Sequence, residues 1–293
     1  MRIVWISDPH LDFVKKPAME ALAGELRSAN GDVYLVSGDI SNGSQIAAHL
    51  PVLRGMLPSS ASLYFVLGNH DFYYSSFADV DAVVADFCRG AISNRKSEET
   101  LGGETRHLGQ GKEWTDAGSE SDDGGEVIAL NDRVGLVGHR GWADGRAGSG
   151  IGSSLLINDF YMVRDLREGC WWKTERFARL NRFGDESAAY FRRVLPLALQ
   201  RFPEVWVMTH VPPFVEACWH QGQISSARFL PHFTNTAAGE AIREVAARFP
   251  DRRVLVLCGH THSSGEAQIL PNLHVLTGGT TYGKPAINRV WDL

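Results

Sequence analysis

The sequence predicts an α/β fold from three observations: short apolar runs recur along the chain, amphipathic helical stretches separate several of them, and the last segment alternates strands with turns alone. The runs are Ile3–Ile6, Val33–Val36, Leu63–Leu67, Val134–Val137, Val205–Met208 and Val254–Cys258. Each is rich in β-branched or aromatic residues and ends in polar ones, as strands buried on both faces do. After the first run, Met19, Leu22, Ala23 and Leu26 fall on one helical face, with Pro17 suited to the first turn. A second helix is predicted from about Asp185 to Gln200, with Pro196 expected to kink or shorten it. A third carries Ile242, Val245, Ala246 and Phe249 at the same spacing, with Thr236 as its N-cap. Glu266–Leu270, Leu273–Thr277 and Ala286–Trp291 then read as short strands joined at Pro271-Asn272 and Gly278-Gly279, an antiparallel finish to a mixed sheet.

The 293 residues read as one domain, 1–293, and a hydrophobic content of 44% excludes wholesale disorder. Two stretches break the strand–helix rhythm. Residues 90–126 are polar and acidic and are expected to form a mobile surface loop. Residues 140–183, with a Gly-rich start and Trp171, Trp172 and Phe177 further on, are expected to form a partly helical, cap-like insertion. The formal net charge of −5 is carried by the acidic stretch, so the rest of the chain is formally neutral. That balance argues against a long nucleic acid as partner. Cys88, Cys170, Cys218 and Cys258 are widely spaced and form no CxxC pair, which suits buried thiols in a reducing compartment. The segment Met1–Asp8 lacks the apolar core of a signal peptide, and no run is long enough to span a bilayer. The expectation is a cytoplasmic protein with no membrane partner.

The chemistry lies just beyond the apolar runs. Ile6 is followed by Asp8 and His10, Val36 by Gly38-Asp39, and Leu67 by Gly68-Asn69-His70-Asp71. Met208 is followed by Thr209-His210, and Cys258 by Gly259-His260-Thr261-His262. Any one of these residues alone is a turn former, a helix cap or a structural histidine, as His49, His107 and His232 are expected to be. Together they place carboxylates and imidazoles at the carboxyl ends of five strands, where open α/β sheets bind ligands. Without a cation, such a cluster would leave buried charge uncompensated.

Asp8-x-His10, Gly38-Asp39, Gly68-Asn69-His70-Asp71, His210 and Gly259-His260-x-His262, in that order, resemble the five motifs of the calcineurin-like metallophosphoesterases. The resemblance implies an αββα architecture, a two-sheet mixed β-sandwich flanked by helices. It implies two divalent metal ions, one held by Asp8, His10 and His262, the other by Asn69, His210 and His260, with Asp39 bridging both. Mixed imidazole and oxygen ligands suit Mn, Fe, Zn or Ni better than Ca or Mg. Two cations about 3.5–4 Å apart can activate a water between them for attack on phosphorus. By the same resemblance His70 faces the scissile phosphate as a catalytic residue, and Asp71 either orients its imidazole or caps a following helix.

Val137-Gly138 ends another strand and is expected to place His139, Arg140, Trp142, Asp144 and Arg146 near the same edge. There the arginines either clamp phosphate oxygens or belong to a solvated turn. Pro212 and Pro213 are expected to stiffen the His210 loop. Cys218, Trp219 and His220 either line a pocket or pack within a loop, and Trp171-Trp172 either covers the site or belongs to local core.

The function read from these residues is a dinuclear metal-dependent phosphoesterase, a phosphoric ester hydrolase. It acts on a mono- or diester of a small phosphorylated molecule by attack of metal-bound hydroxide, with no covalent intermediate. A non-catalytic metal-binding scaffold of the same fold is the alternative from another class; such members lose a ligand or the His70 equivalent, and this chain retains both. A nuclease is disfavoured by the charge balance, and a protein phosphatase by the lack of an evident docking extension.

Overall fold

The alternation of side chains along the strands decides the architecture. In β1 (Arg2–Ile6), Val4 and Ile6 join a core shared with helices, whereas Ile3 and Trp5 join a core shared with a second sheet. A strand buried on both faces needs a layer on each side. The computed structural model describes residues 1–93, 103–109 and 126–293.

The first sheet runs β13-β1-β2-β3-β4, with β2 Val33–Ser37, β3 Ser62–Val66, β4 Thr105–His107 and β13 Arg289–Asp292. β1 to β4 are parallel and β13 is antiparallel to β1. The second sheet runs β11-β12-β10-β7-β6-β5, with β5 Ile128–Ala129, β6 Val134–His139, β7 Glu204–Thr209, β10 Arg253–Cys258, β11 Gly265–Leu270 and β12 Leu273–Thr277. Here β6, β7, β10 and β12 are parallel, and β5 and β11 run antiparallel at the edges. Between β7 and β10 the chain forms a small antiparallel hairpin, β8 (Trp219–His220) with β9 (Gln223–Ile224), and a single helical turn, α7 (Leu230–Phe233). The two sheets face each other across Ile3, Trp5, Leu35 and Val66 on one side and Leu136, Trp206, Met208 and Leu257 on the other. On the outer face of the first sheet lie α1 (Lys16–Ala29), α2 (Ile46–Met56) and α3 (Phe77–Ser93). On the outer face of the second lie the later helices of the chain, α6 (Lys173–Arg201) and α8 (Thr236–Arg248). The result is the αββα sandwich that the motifs imply.

Two helices escape the sequence reading, and three local expectations are revised. The first is that the last strand, β13, pairs with β1 in the first sheet and does not finish the sheet of β11 and β12. Neither α2 nor α3 stands out in the sequence as a helix, and α2 carries Pro51 in its interior. Helix α6 starts at Lys173 and continues through Pro196 without ending there. Phe191, Val194, Leu195, Ala198 and Leu199 are all buried around that proline, and their burial outweighs the roughly 3 kcal/mol that an interior proline costs. Helix α8 is capped one residue earlier than predicted, by Asn235, whose side chain accepts from the Ala238 N–H at 3.0 Å.

Residues 94–102 and 110–125 of the acidic stretch expected to be mobile lie outside the described residues. Within the stretch, Thr105–His107 is not a loop: it adds β4 beside Leu63–Phe65 of β3. The 140–183 segment contains α4 (Asp159–Met162), α5 (Arg164–Arg167) and the first turns of α6. It is stitched to the chain after β3: Tyr74 N–H donates to Met162 O at 2.8 Å, Arg164 N–H to Ser75 O at 2.9 Å, and Phe77 N–H to the Asp165 carboxylate at 2.8 Å. Trp171 and Trp172 are 81% and 72% exposed, so they belong neither to a cover over the site nor to a core. No helix among the described residues is long and apolar enough to cross a membrane.

Candidate metal centre

Parallel strands bring their carboxyl ends to one rim, and the turns beyond them carry the side chains back over it. Asp8 and His10 follow β1, Asp39 follows β2, Asn69 and His70 follow β3, His210 follows β7, and His260 and His262 follow β10. Asp8, His10, Asp39, His260 and His262 all hold left-handed backbone, with φ between 42° and 69°. Outside glycine such backbone is uncommon and concentrates at functional sites. Gly38 (φ 94°) is needed for a second reason, since a Cβ there would press on the His210 ring and the Gly68 N–H.

Two clusters form, and Asp39 belongs to both. In the first, His10 Nε2 and His262 Nε2 face each other at 3.0 Å, Asp39 Oδ2 lies 3.7 Å from His10 Nε2, and Asp8 Oδ1 lies 3.7 Å from His262 Nε2. In the second, Asn69 Oδ1, His210 Nε2 and His260 Nδ1 form a triangle with edges of 3.1, 2.9 and 3.2 Å, and Asp39 Oδ1 is 3.3 Å from His210 Nε2. Bonds of about 2.0–2.2 Å from a transition ion to N and O ligands put neighbouring ligand atoms roughly 3–3.5 Å apart. The observed spacings suit that.

The surroundings leave the facing atoms free to bind. His210 Nδ1–H donates to Ser37 O at 2.8 Å and His260 Nε2–H donates to His232 O at 3.1 Å, which turns the other ring nitrogen of each toward the cluster. Asp8 Oδ1 accepts from His260 N–H at 2.9 Å, and Ser7 Oγ donates to Oδ2. Asp39 Oδ2 is buried without a hydrogen-bond partner among the described residues. Burial drives His10 and His260 down to about 3, so both are neutral with available lone pairs at neutral pH. Burial pushes the Asp8 carboxyl up; it opposes ionisation of Asp39 too, yet facing His210 and His70 hold that carboxyl well below its usual range. His210 is likewise opposed by burial but raised to about 10 by Asp39. Two buried carboxylates beside the neutral His10 and His260, with one carboxylate oxygen unpartnered, are what cations would compensate. The donor set fits two transition ions.

His70 stands at the edge of this cluster. Its ring lies 4.6 Å from that of His10, its Nε2 is 3.5 Å from the Tyr282 hydroxyl, and its Nδ1 has no hydrogen-bond partner among the described residues. Asp71 therefore does not orient that ring. Its buried carboxylate accepts instead from the N–H groups of Ser41 (2.9 Å) and Gly68 (2.8 Å), tying the β2 and β3 turns together beneath the ligands.

A cleft of about 620 Å³ opens above the cluster, with Asp39, Asn69, His70, His260 and His262 in its lining. Tyr73, Asp159, Tyr282, Ser225, Phe229, Phe233 and His220 line it further out. His139, Arg140, Asp144 and Arg146 are not among its lining residues. His139 packs against Tyr190 and Phe191. Arg140 is paired with Asp81 at 3.4 Å and lies over the rings of Phe72 and Phe77. Asp144, fully buried, accepts from the Ala237 N–H at 2.8 Å, and Arg146 bridges Asp144 and Asp185. Their charges are consumed by partners within the protein. Cys218 and Trp219 do not line the cleft, and all four cysteines are buried and free.

Tyr73, Asp159 and Tyr282 escape sequence reasoning. None lies in a recognisable motif, and each reaches the cleft only through tertiary packing.

A four-layer sandwich with a shared cluster of carboxylate, amide and imidazole groups at one rim defines a metal-binding hydrolase class. The chain belongs to the calcineurin-like phosphoesterase family, whose model matches residues 1–264. No curated protein matches it in sequence. Among solved structures it is similar in fold to the phosphopantetheinyl hydrolase of Mycobacterium tuberculosis, with 16% identity and a TM-score of 0.61, covering 96% of this chain and 90% of that one. It is similar also to a dimetal phosphatase from Danio rerio, with 14% identity and a TM-score of 0.55, covering 95% of this chain and 87% of that one.

Proposed function

We propose that this protein is a dinuclear metal-dependent phosphoric ester hydrolase that cleaves a phosphate mono- or diester of a small molecule. The observation that carries the reading is the pair of ligand clusters sharing Asp39 at the floor of one cleft. Asp8, His10, Asp39 and His262 would hold one ion, and Asp39, Asn69, His210 and His260 the other. Bound ions of the Mn, Fe, Zn or Ni type would supply Lewis acidity and an activated water. The chain's own contribution is geometric: Asp39 spans both positions, and backbone carbonyls of Ser37 and His232 fix the tautomers of His210 and His260. His70, lining the cleft beside the cluster, is placed to stabilise charge on a phosphate oxygen or to protonate the leaving oxygen. Asp71 serves by holding the Gly68 turn. A cleft of about 620 Å³ lies within the range of small-molecule sites, which supports a small phosphorylated substrate over a polymer. Four free buried thiols are in keeping with a cytoplasmic setting.

The test is reconstitution. Metal-free protein is loaded separately with Mn, Fe, Zn and Ni, and hydrolysis of p-nitrophenyl phosphate and bis-p-nitrophenyl phosphate is measured. Metal-dependent turnover of either ester is expected. A protein that takes up two ions and cleaves neither ester, nor any of a panel of phosphorylated metabolites, is a scaffold instead.

A further inference from the structure

Asn69 is an unusual candidate ligand because its amide must face one way: the oxygen, and not the nitrogen, has to meet the cation. The structure provides a device for this. Asn69 Nδ2 donates one hydrogen to Asp159 Oδ1 at 2.9 Å and the other to the Tyr73 hydroxyl at 3.0 Å, while that hydroxyl donates to the same Asp159 oxygen at 2.7 Å. Both amide hydrogens are thus used on the side away from the cluster, and Oδ1 is left against His210 Nε2 and His260 Nδ1. Turning the amide over would set its oxygen against the Asp159 carboxylate, break both donations on that side, and point N–H groups at the place a cation would occupy.

Asp159 opens α4, within the 140–183 insertion and 90 positions from Asn69. It is fully enclosed, and the adjoining backbone is tied to the Tyr74–Phe77 segment through Met162, Arg164 and Asp165.

We propose that Asp159, assisted by Tyr73, is the positioning residue that holds the Asn69 amide oxygen toward the metal, making the insertion a working part of the centre. The proposal rests on the metal-dependent reading of the same site. Groups that orient ligands from behind typically change metal affinity by about 10- to 100-fold when removed.

The experiment is calorimetric titration of metal-free protein with Mn²⁺, independent of turnover. Wild type is expected to bind two ions. Asp159→Leu should weaken one of them by about 10- to 100-fold and leave the other unchanged. Asp159→Asn, which keeps an oxygen acceptor at the same place, should retain most of the affinity and serves as the folded comparison. Tyr73→Phe should weaken the same ion by a smaller factor. The decisive background is Asn69→Asp: its two carboxylate oxygens are alike, so nothing is left to orient and the Asp159→Leu penalty should vanish. Unchanged affinity for both ions in Asp159→Leu overturns the proposal, as does a penalty that persists in the Asn69→Asp background. Wild-type protein that binds no pair of ions overturns the metal-dependent reading itself, an outcome distinct from either of these.

Discussion

At the scale of single residues, the cost of building this centre is visible in the backbone. Asp8, His10, Asp39, His260 and His262 hold left-handed conformations that cost about 1–3 kcal/mol each in ordinary contexts, least for Asp and Asn. Such turns send the side chain back over the strand end from which the chain has just emerged. On the proposed reading, Asp39 and His70 serve in separable ways. Asp39 presents one oxygen to each cluster, so Asp39→Asn should lower bound metal from two ions per chain to below one, read by elemental analysis. The His70 side chain makes no hydrogen bond to either cluster, only its backbone N–H donating to Asp39 Oδ1 at 2.9 Å. On the proposed reading His70→Asn should therefore keep both ions and lower kcat by about 10²- to 10⁴-fold, the usual worth of a general acid. Equal metal loss in the two variants contradicts the separation of roles.

At the scale of elements, the motif residues are legible because each sits within four positions of a strand end, and the strands themselves announce their ends by a switch from apolar to polar residues. That pattern singles these residues out, and the resemblance to the metallophosphoesterase motifs then separates the seven candidate ligands from His70 and Asp71. Helix α2 is not legible because Pro51 reads as a breaker, and the start of α6 is hidden because its first turns are polar. Arg140, Asp144 and Arg146 mislead for the opposite reason: charge after a strand is a signal only when no partner waits, and here Asp81, Asp185 and the start of α8 do. Asp159 is invisible because its meaning depends on Asn69, far away in sequence. The β6 end carries a consequence for acid stability. His139 on β6 and His107 on β4 are driven down to about 3 by burial, with Arg140 adding to the effect. Their unfolded value is near 6.5, so between about 6.5 and 3 the unfolded chain takes up protons that the folded one refuses. Their neutral burial costs nothing above about pH 6.5, and folding stability falls progressively as the pH drops toward 3. Urea midpoints measured from about pH 7 to pH 4 should fall, and the fall should be shallower in His139→Gln than in wild type.

At the scale of the whole molecule, the centre is a joint between the two sheets. Asp8, His10, Asp39 and Asn69 come from the first sheet, and His210, His260 and His262 from the second. The aromatic contact of Trp206 with Trp291 and the packing of Trp5 and Leu35 against Met208 and Leu257 close the sandwich away from the rim, whereas at the rim the sheets meet through polar groups. Bonds such as His210 Nδ1–H to Ser37 O (2.8 Å) and His260 N–H to the Asp8 carboxylate (2.9 Å) hold it there, and bound ions would add ligands drawn from both sheets at once. An unfolded chain cannot assemble such a set, so ion binding adds directly to folding stability. With free metal at about 100 times its dissociation constant the gain is about 2.7 kcal/mol per site. For a domain somewhat larger than about 150–250 residues, each kcal/mol moves Tm by about 2–4 °C at most. Stripping the protein with a chelator should therefore lower Tm by up to roughly 5–10 °C when one site is emptied and further when both are. Restoring Mn or Zn should recover it. Asp39→Asn, which lacks the shared carboxylate, should melt at nearly the same temperature with and without metal; a full metal-dependent rise in that variant means the ions bind elsewhere.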